Sequence, residues 1–218
     1  MVVTAALCIT EIFKSIQGES SWAGLPCVFI RTTGCNLRCS WCDTAYAYEG
    51  GTWMNLGEIL RRVEELDCKL AEITGGEPLL QPATPELARK LQEAGHTVLV
   101  ETNGSLPIEV LPEGVIRILD LKCPASGECG RNRYENIAQL GPQDEVKFVL
   151  AGREDYEWAR GQIITHQLHT KVKAVLLSAA FGKLEPAKVV EWMLADKLPA
   201  RFQLQLQKFV WPPDARGV

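Results

Sequence analysis

Three cysteines stand in one short loop, Cys35, Cys39 and Cys42, within the run Gly34-Cys35-Asn36-Leu37-Arg38-Cys39-Ser40-Trp41-Cys42-Asp43-Thr44. The C-x3-C-x2-C spacing supplies three thiolates, one fewer than the four that usually close an iron–sulfur cluster or a structural zinc site. A [4Fe–4S] cube held by three protein ligands keeps one iron open to a substrate or cofactor, which would make the loop a reactive centre. Structural zinc wants a second ligand pair. The chain offers no further C-x2-C or H-x3-H, and His96, His166 and His169 lie far off in sequence. A disulfide framework would pair Cys39 with Cys42 as a redox motif and leave Cys35 over. The spacing therefore favours a cluster over zinc, and over three ordinary loop cysteines.

The elements that must position this loop read as strands alternating with helices. Residues 27–33 form a strand that runs straight into the cysteines. Asn55 and Glu58 make a capping box for a helix whose apolar stripe is Ile59, Leu60, Val63 and Leu66. Residues 70–74 form the next strand, ending at Gly75-Gly76-Glu77-Pro78. Thr84-Pro85 then starts a helix, with the hydroxyl as cap, and Gly95 closes it. Further strands are expected at 97–101, 116–122, 145–150, 173–177 and 202–206, with helices near 153–165 and 186–195. Repeated strand–helix units imply a parallel sheet with right-handed crossovers. A complete eight-unit barrel takes about 250 residues. The expectation is an α/β fold, a partial TIM-like barrel of about six parallel strands with helices outside, in a single domain over 1–218. Polar residues after the strand ends would then share one rim: the cysteine loop, Gly75-Gly76-Glu77-Pro78, Glu101-Thr102-Asn103-Gly104, Asp120-Leu121-Lys122 and Ser178.

Composition narrows the class. With 218 residues, 46% of them hydrophobic, the chain can bury one sizeable core. A net charge of −4 argues against nucleic acid as the main partner. No apolar run approaches the ~20 residues a membrane span needs, and the N-terminus has no basic start or apolar stretch of a leader. Eight cysteines without an even framework suit a reducing, cytoplasmic setting. Cys8, Cys27 and Cys68 read as buried structural thiols, and Cys123 with Cys129 as too few for a second cluster. The acidic run Glu154-Asp155-Tyr156-Glu157 reads as a solvated helix start favoured by the helix dipole.

The cysteine loop followed by a strand ending in Gly-Gly-Glu-Pro resembles the radical S-adenosylmethionine (SAM) superfamily. Within it, several passages together resemble the 7-carboxy-7-deazaguanine synthase family of queuosine biosynthesis. They are Glu11-Ile12-Phe13-Lys14-Ser15-Ile16-Gln17-Gly18-Glu19, Phe29-Ile30-Arg31, Cys42-Asp43-Thr44, Thr74-Gly75-Gly76-Glu77-Pro78, Glu101-Thr102-Asn103-Gly104-Ser105-Leu106-Pro107 and Asp120-Leu121-Lys122-Cys123-Pro124. The resemblance implies a lyase that turns 6-carboxy-5,6,7,8-tetrahydropterin into 7-carboxy-7-deazaguanine by ring contraction with loss of ammonia, initiated by a 5′-deoxyadenosyl radical from SAM. It implies a [4Fe–4S] cluster on Cys35, Cys39 and Cys42, and SAM against Trp41, Asp43, Gly76, Glu77, Lys122 and Ser178. It places Mg²⁺ on Thr44, and the pterin against Ile16, Gln17, Gly18, Arg31, Thr74 and Pro213. Arg31 suits the substrate carboxylate, because a guanidinium binds two oxygens at once; the alternative is a salt bridge to a nearby acid such as Glu19. Lys122 could otherwise be a solvated rim charge.

A homodimer and an electron-donating flavodoxin or ferredoxin are implied in the same way. The chain departs from the family pattern at Gln207, where His is frequent, at Ser20 in place of a glycine, and in residues 214–218, which follow the final prolines. The nearest rival is a glycyl-radical enzyme activase of the same superfamily. A rival from another class is an electron carrier or zinc-binding module with a fully ligated metal.

Overall fold

The computed structural model describes residues 5–218. Residues 1–4, part of the N-terminus read for the absence of a leader, lie outside them. An antiparallel hairpin opens the fold: β1 (Ala6–Ile16) pairs with β2 (Pro26–Thr32), and β3 (Thr52–Asn55) adds to the other edge of β1. From β2 onward every pairing is parallel, through β4 (Leu70–Gly75), β5 (Thr97–Thr102), β6 (Ile116–Asp120), β7 (Glu145–Leu150), β8 (Ala174–Ala179) and β9 (Arg201–Phe202). The sheet order is β3-β1-β2-β4-β5-β6-β7-β8-β9, open at both edges. The partial barrel expected from sequence is there, with seven parallel strands and two antiparallel ones that the strand–helix alternation did not announce. β9 is shorter than the expected strand at 202–206, since the chain after Phe202 turns to the cavity instead of continuing along β8.

The helices are α1 (Leu56–Glu65), α2 (Thr84–Glu93), α3 (Arg153–Thr165), the single turn α4 (Leu168–Lys171), α5 (Pro186–Asp196) and the single turn α6 (Gln207–Val210). The capping box of α1 forms in both directions: Glu58 N–H donates to Asn55 Oδ1 and Asn55 N–H to Glu58 Oε2, each at 2.9 Å. At α2 the expected cap does not form. Thr84 is already helical, and its hydroxyl donates to Pro78 O at 2.6 Å, tying the helix to the Gly-Gly-Glu-Pro turn. Gly95 ends α2 with φ +83°, as the sequence suggests. The acidic run at the start of α3 is only partly solvated. Asp155 and Tyr156 are buried, and Asp155 accepts from Ala125 N–H at 2.9 Å and Ala151 N–H at 2.8 Å.

Side chains alternate across each strand, and the two sets have different destinations. Outward positions carry the core. Val28, Ile30, Ile73, Val98 and Val100 pack with Leu7 and Ile9 against α1 and α2, while Leu119, Val146, Phe148, Val175 and Leu177 pack against α3 and α5. Inward positions are layered. Cys27, Leu70, Leu99 and Ile118 form an apolar floor. Two residues farther along the strands stand Phe29, Glu72, Glu101, Asp120 and Lys147, and two farther again Arg31, Thr74, Asn103 and Lys122. The strand period of two thus builds a polar bowl above an apolar floor.

Replacing Asn55 by Ala should cost about 1 kcal/mol of stability by removing the N-cap of α1. Urea unfolding checks this, and the iron content of the purified protein should stay at the wild-type level because α1 lies on the outer face.

Candidate functional site

The inward residues enclose a cavity of about 550 Å³ at the C-terminal ends of the parallel strands. The cysteine loop leaves β2 and crosses the end of β4, held there by backbone. Gly76 N–H donates to Thr32 O at 3.2 Å, Glu77 N–H to Gly34 O at 2.8 Å, and Gly34 N–H to Ala47 O at 2.8 Å. A Cβ on Gly76 would collide with the Gly34 carbonyl and stand 2.9 Å from Cys35 Cβ, so only glycine lets the loop lie this close. The loop's far side rests on the turns after β5 and β6. Ser40 N–H donates to Ser126 O at 3.0 Å and Arg38 N–H to Glu128 Oε1 at 2.7 Å, while Asn36 Nδ2 donates to Ser105 Oγ at 2.8 Å. Leu37 is buried beneath it.

All eight cysteines are free, and Cys35, Cys39 and Cys42 line the cavity together. Among the described residues no three His, Cys, Asp or Glu side chains converge on one ion position. Leu37 N–H, 3.4 Å from Cys35 Sγ, and Asn103 Nδ2, 3.7 Å away, donate to that sulfur, as donors around cluster sulfurs do. Of the three thiols expected to be buried only Cys27 is, since Cys8 and Cys68 are half-buried; Cys123 is buried as well, and none of these four stands on the cavity wall.

Of the other residues singled out from sequence, Ile16, Gln17, Gly18, Arg31, Trp41, Asp43, Thr44, Thr74, Gly76, Lys122 and Pro213 also stand on the wall of this cavity. Two do not, and both are corrections. Glu77 is turned away and fully buried, with Oε1 accepting from Leu79 N–H at 3.0 Å and Thr102 Oγ1 at 2.7 Å, and Oε2 from Asn103 N–H at 2.7 Å. Both oxygens of a carboxylate that the motif alone would offer to a ligand are engaged by the protein and face away from the cavity, and burial pushes its pKa up despite these bonds. Ser178 is buried within β8, and Ala180 and Phe181 line the cavity beyond it.

The bowl carries a buried charge network. Lys147 Nζ pairs with Glu101 Oε1, with Glu19 Oε2 at 2.9 Å and with Asp120 Oδ2 at 3.9 Å, and Lys122 Nζ pairs with Asp120 Oδ2 at 2.7 Å. Burial works against both ammoniums, but the surrounding carboxylates hold their pKa values above the ordinary lysine range. Burial, reinforced by Glu101, drives the Glu72 carboxyl well up, toward the neutral acid, and Gln17 Nε2 donates to its Oε2. Lys122 is therefore a paired wall residue and not a solvated rim charge. Arg31 Nε donates to Glu11 Oε1 at 2.7 Å, an oxygen that also accepts from Tyr46 Oη at 2.7 Å. Its ion-pair partner is thus Glu11; Glu19 is committed to Lys147.

The C-terminal segment supplies the remaining wall. Gln205 Nε2 donates to Glu19 Oε1 at 2.9 Å and Asp43 Oδ2 at 3.2 Å, and Lys208 Nζ pairs with Asp43 Oδ2 at 2.7 Å. The surrounding chain works to raise the Asp43 pKa, but the Lys208 ammonium and these hydrogen bonds bring it down to about 2. Thr44 Oγ1 donates to Asp43 Oδ1 at 2.9 Å. Gln207 packs on Gly18, where a Cβ would strike its amide, so that glycine makes room for the chain's own side chain. Residues 212–218 all border the cavity.

Sequence reading missed Glu19, Glu72, Lys147, Gln205, Lys208 and Arg216 as cavity residues. The available signal was period: Glu72, Lys147 and the flagged strand-end acid Glu101 are polar positions at the inward phase of otherwise apolar strands. Two buried polar atoms on the wall, Asp120 Oδ1 and Gln207 Oε1, have no hydrogen-bond partner among the described residues, the condition of a surface built to meet a polar ligand.

Comparison with known proteins gives a consistent picture. Residues 29–121 match the Radical SAM superfamily. A 7-carboxy-7-deazaguanine synthase of Koribacter versatilis is 46% identical over 225 residues, covering 96% of this chain and 99% of that protein. One of Chlorobaculum tepidum is 47% identical over 221 residues, covering 100% of each. Among solved structures, QueE from Escherichia coli superposes with a TM-score of 0.69 at 20% identity, covering 91% of this chain and 94% of that one; at that identity the likeness speaks for the fold.

Lys147→Met should destabilise the protein by about 3 kcal/mol, because the buried Asp120 and the half-buried Glu19 and Glu101 lose the cation they share. Adding Glu101→Gln to that variant should recover part of the loss. Urea unfolding of both variants checks it; additive effects would show that the pair is not coupled.

Proposed function

The chain belongs to the 7-carboxy-7-deazaguanine synthase family of the radical SAM superfamily, and from that membership and the polarity of its cavity we propose how it converts 6-carboxy-5,6,7,8-tetrahydropterin to 7-carboxy-7-deazaguanine with loss of ammonia. Family membership makes the enzyme a radical SAM lyase of queuosine biosynthesis that uses a [4Fe–4S] cluster and SAM and needs a reductant. The glycyl-radical activase alternative loses its support, since relatives matching along the full chain carry the synthase name. When bound, the cluster and SAM supply a 5′-deoxyadenosyl radical that removes a hydrogen atom from the substrate.

The chain's own residues bind, orient and shield. Cys35, Cys39 and Cys42 are the cluster ligands in this reading, on a loop that backbone bonds and neighbouring turns hold still. Trp41, Asp43, Gly76 and Lys122 border the SAM side. Glu77 serves that side indirectly, by fixing Asn103 and the turn beneath the loop. The observation that carries the substrate reading is the gradient from hydrogen-bond acceptors to donors along the cavity, with carboxylates at the bottom and the free terminal N–H groups of Arg31 toward the loop. A carboxylated pterin has the complementary gradient. Its aminopyrimidinone edge presents N–H donors, for which Glu19 and Glu101 are acceptors, with the Gln17 and Glu72 pair beside them. Its carboxylate lies at the opposite end, where Arg31 keeps its terminal nitrogens free of Glu11. Phe29 offers an apolar face between the two ends. Thr74 adds a hydroxyl, and Pro213 bounds the mouth.

Thr44 is the proposed protein ligand of Mg²⁺. Its hydroxyl hydrogen is committed to Asp43, which leaves the oxygen lone pairs for a cation that completes its shell with water and substrate oxygens. A flavodoxin or ferredoxin as reductant, a homodimer and a cytoplasmic setting complete the proposal. Among the described residues no helix is long and apolar enough to cross a membrane.

The test is anaerobic reconstitution followed by SAM, reductant, Mg²⁺ and 6-carboxytetrahydropterin, with products identified by mass spectrometry. Formation of 7-carboxy-7-deazaguanine establishes reaction and substrate together; 5′-deoxyadenosine without it would keep the superfamily chemistry and reject the substrate. Arg31→Ala should lower kcat/KM for the pterin by about 100-fold, the worth of a charge-assisted pair, while cluster content and SAM binding hold; loss of the cluster would sink the assigned role. Omitting Mg²⁺ should slow turnover of the wild type, and Thr44→Val should make the residual rate insensitive to Mg²⁺ across a titration.

A further inference from the structure

Residues 214–218, the part of the tail that departs from the family pattern, fold back over the cavity instead of trailing away. Ala215 N–H donates to Pro212 O at 2.9 Å, a turn that carries Arg216 to Tyr46. The Arg216 guanidinium lies over the Tyr46 ring, 4.1 Å from its centroid, and the Arg31 guanidinium is 5.9 Å from the same centroid. Two cations therefore gather on one aromatic ring at the rim of the bowl.

Their charge states differ. Arg31 is matched by Glu11, whose Oε1 also takes the Tyr46 hydroxyl, so the Arg31–Glu11 pair has no net charge to offer an anion. Arg216 has no ion-pair partner among the described residues, and Asp214, the acid nearest in sequence, is not paired with it. A guanidinium stacked on a ring keeps its N–H edge in the plane, free to meet two carboxylate oxygens. The tail thus brings to the rim a guanidinium that no carboxylate holds, with Asp214 on the same wall likewise outside any ion pair.

We propose that Arg216 is a second carboxylate-binding residue of this cavity, acting beside Arg31 on the acid group of the bound pterin. The proposal rests on the reading of the substrate as a carboxylated pterin. It makes the extension a determinant of specificity and gives the carboxylate the charge that the Arg31–Glu11 pair alone does not supply.

The experiment compares wild type, Arg216→Ala and Arg216→Lys as reconstituted, SAM-loaded enzyme. Equilibrium dialysis measures binding of 6-carboxypterin and of pterin lacking the carboxyl group, and steady-state assays give KM and kcat for 6-carboxytetrahydropterin. Arg216→Ala should weaken binding of the carboxylated pterin and raise KM by about tenfold, the lower range for a hydrogen bond to a charged group, with kcat changed far less. Binding of pterin without the carboxyl should stay at the wild-type level. Arg216→Lys should recover part of the loss, since it keeps charge without the planar fork. Equal weakening toward both pterins would assign Arg216 to closing the cavity and overturn the proposal, as would wild-type affinity in Arg216→Ala. Failure of the wild type itself to prefer the carboxylated pterin would overturn the substrate reading and this proposal with it.

Discussion

A carboxylate taken out of water must be neutralised or paired, and four of them, Glu19, Glu72, Glu101 and Asp120, meet inside this sheet. The solution is to let one lysine serve several partners. Lys147 reaches Glu19 from the loop after β1, Glu101 from β5 and Asp120 from β6, and burial moves Glu72 toward its neutral form. Glu19 then passes the connection to Gln205, Gln205 to Asp43, and Asp43 to Lys208. A chain of charge-assisted bonds runs from the interior of the bowl to Asp43, the residue beside Cys42. Binding in the bowl and placement of the cysteine loop are physically connected by it.

The cysteine loop itself is positioned chiefly by groups that carry no charge. Its entry and its crossing of β4 rest on backbone hydrogen bonds and on a glycine contact too close for any Cβ. Its exit rests on the turns after β5 and β6, and Asp155 fixes the second of these from below by accepting Ala125 N–H. Ser40 Oγ in turn donates to Ala125 O at 2.9 Å, so a buried acid at the start of α3 bears on the loop between Cys39 and Cys42. Glu77 plays the same part on the other side, through Asn103, whose amide reaches Asn36 and Cys35. Residues that look like ligand contacts in a motif can thus be the frame that holds the contacts.

That distinction marks the limit of what the chain disclosed beforehand. The capping box of α1, Gly95 and the alternation of strands with helices are local signals, and each has the structure it implied. Glu77 was misplaced because a motif gives the identity of a side chain but not the direction it turns. Asp155 was taken as solvated because a helix dipole explains an acidic start without any buried partner. β1 was not recognised as a strand, although Cys8, Thr10, Ile12 and Lys14 alternate with Leu7, Ile9, Glu11 and Phe13. Neither set is uniformly apolar, because a bulge between Ile9 and Glu11 exchanges the two faces: Leu7, Ile9 and then Ile12 pack on the core, and Phe13 turns to the cavity. Lys147 was invisible for a different reason: a lysine inside an apolar strand reads as a surface position until its three distant carboxylates are known.

The open sheet leaves one further demand. A radical intermediate must be kept from water and from stray hydrogen donors, yet a sheet ending in a two-residue β9 leaves a gap between that edge and the part of β1 past Ile9, which β3 does not cover. The chain closes the gap with itself. Ser20 N–H donates to Gln203 Oε1 at 2.7 Å and Leu206 N–H to Gly18 O at 2.9 Å, joining the segment after β9 to the loop after β1. What a complete barrel would do with further strands is done here by a seam of a few hydrogen bonds and a tail across the mouth. Gln205 and Lys208 extend that closure to Asp43, so the segment that seals the gap also bears on the cysteine loop.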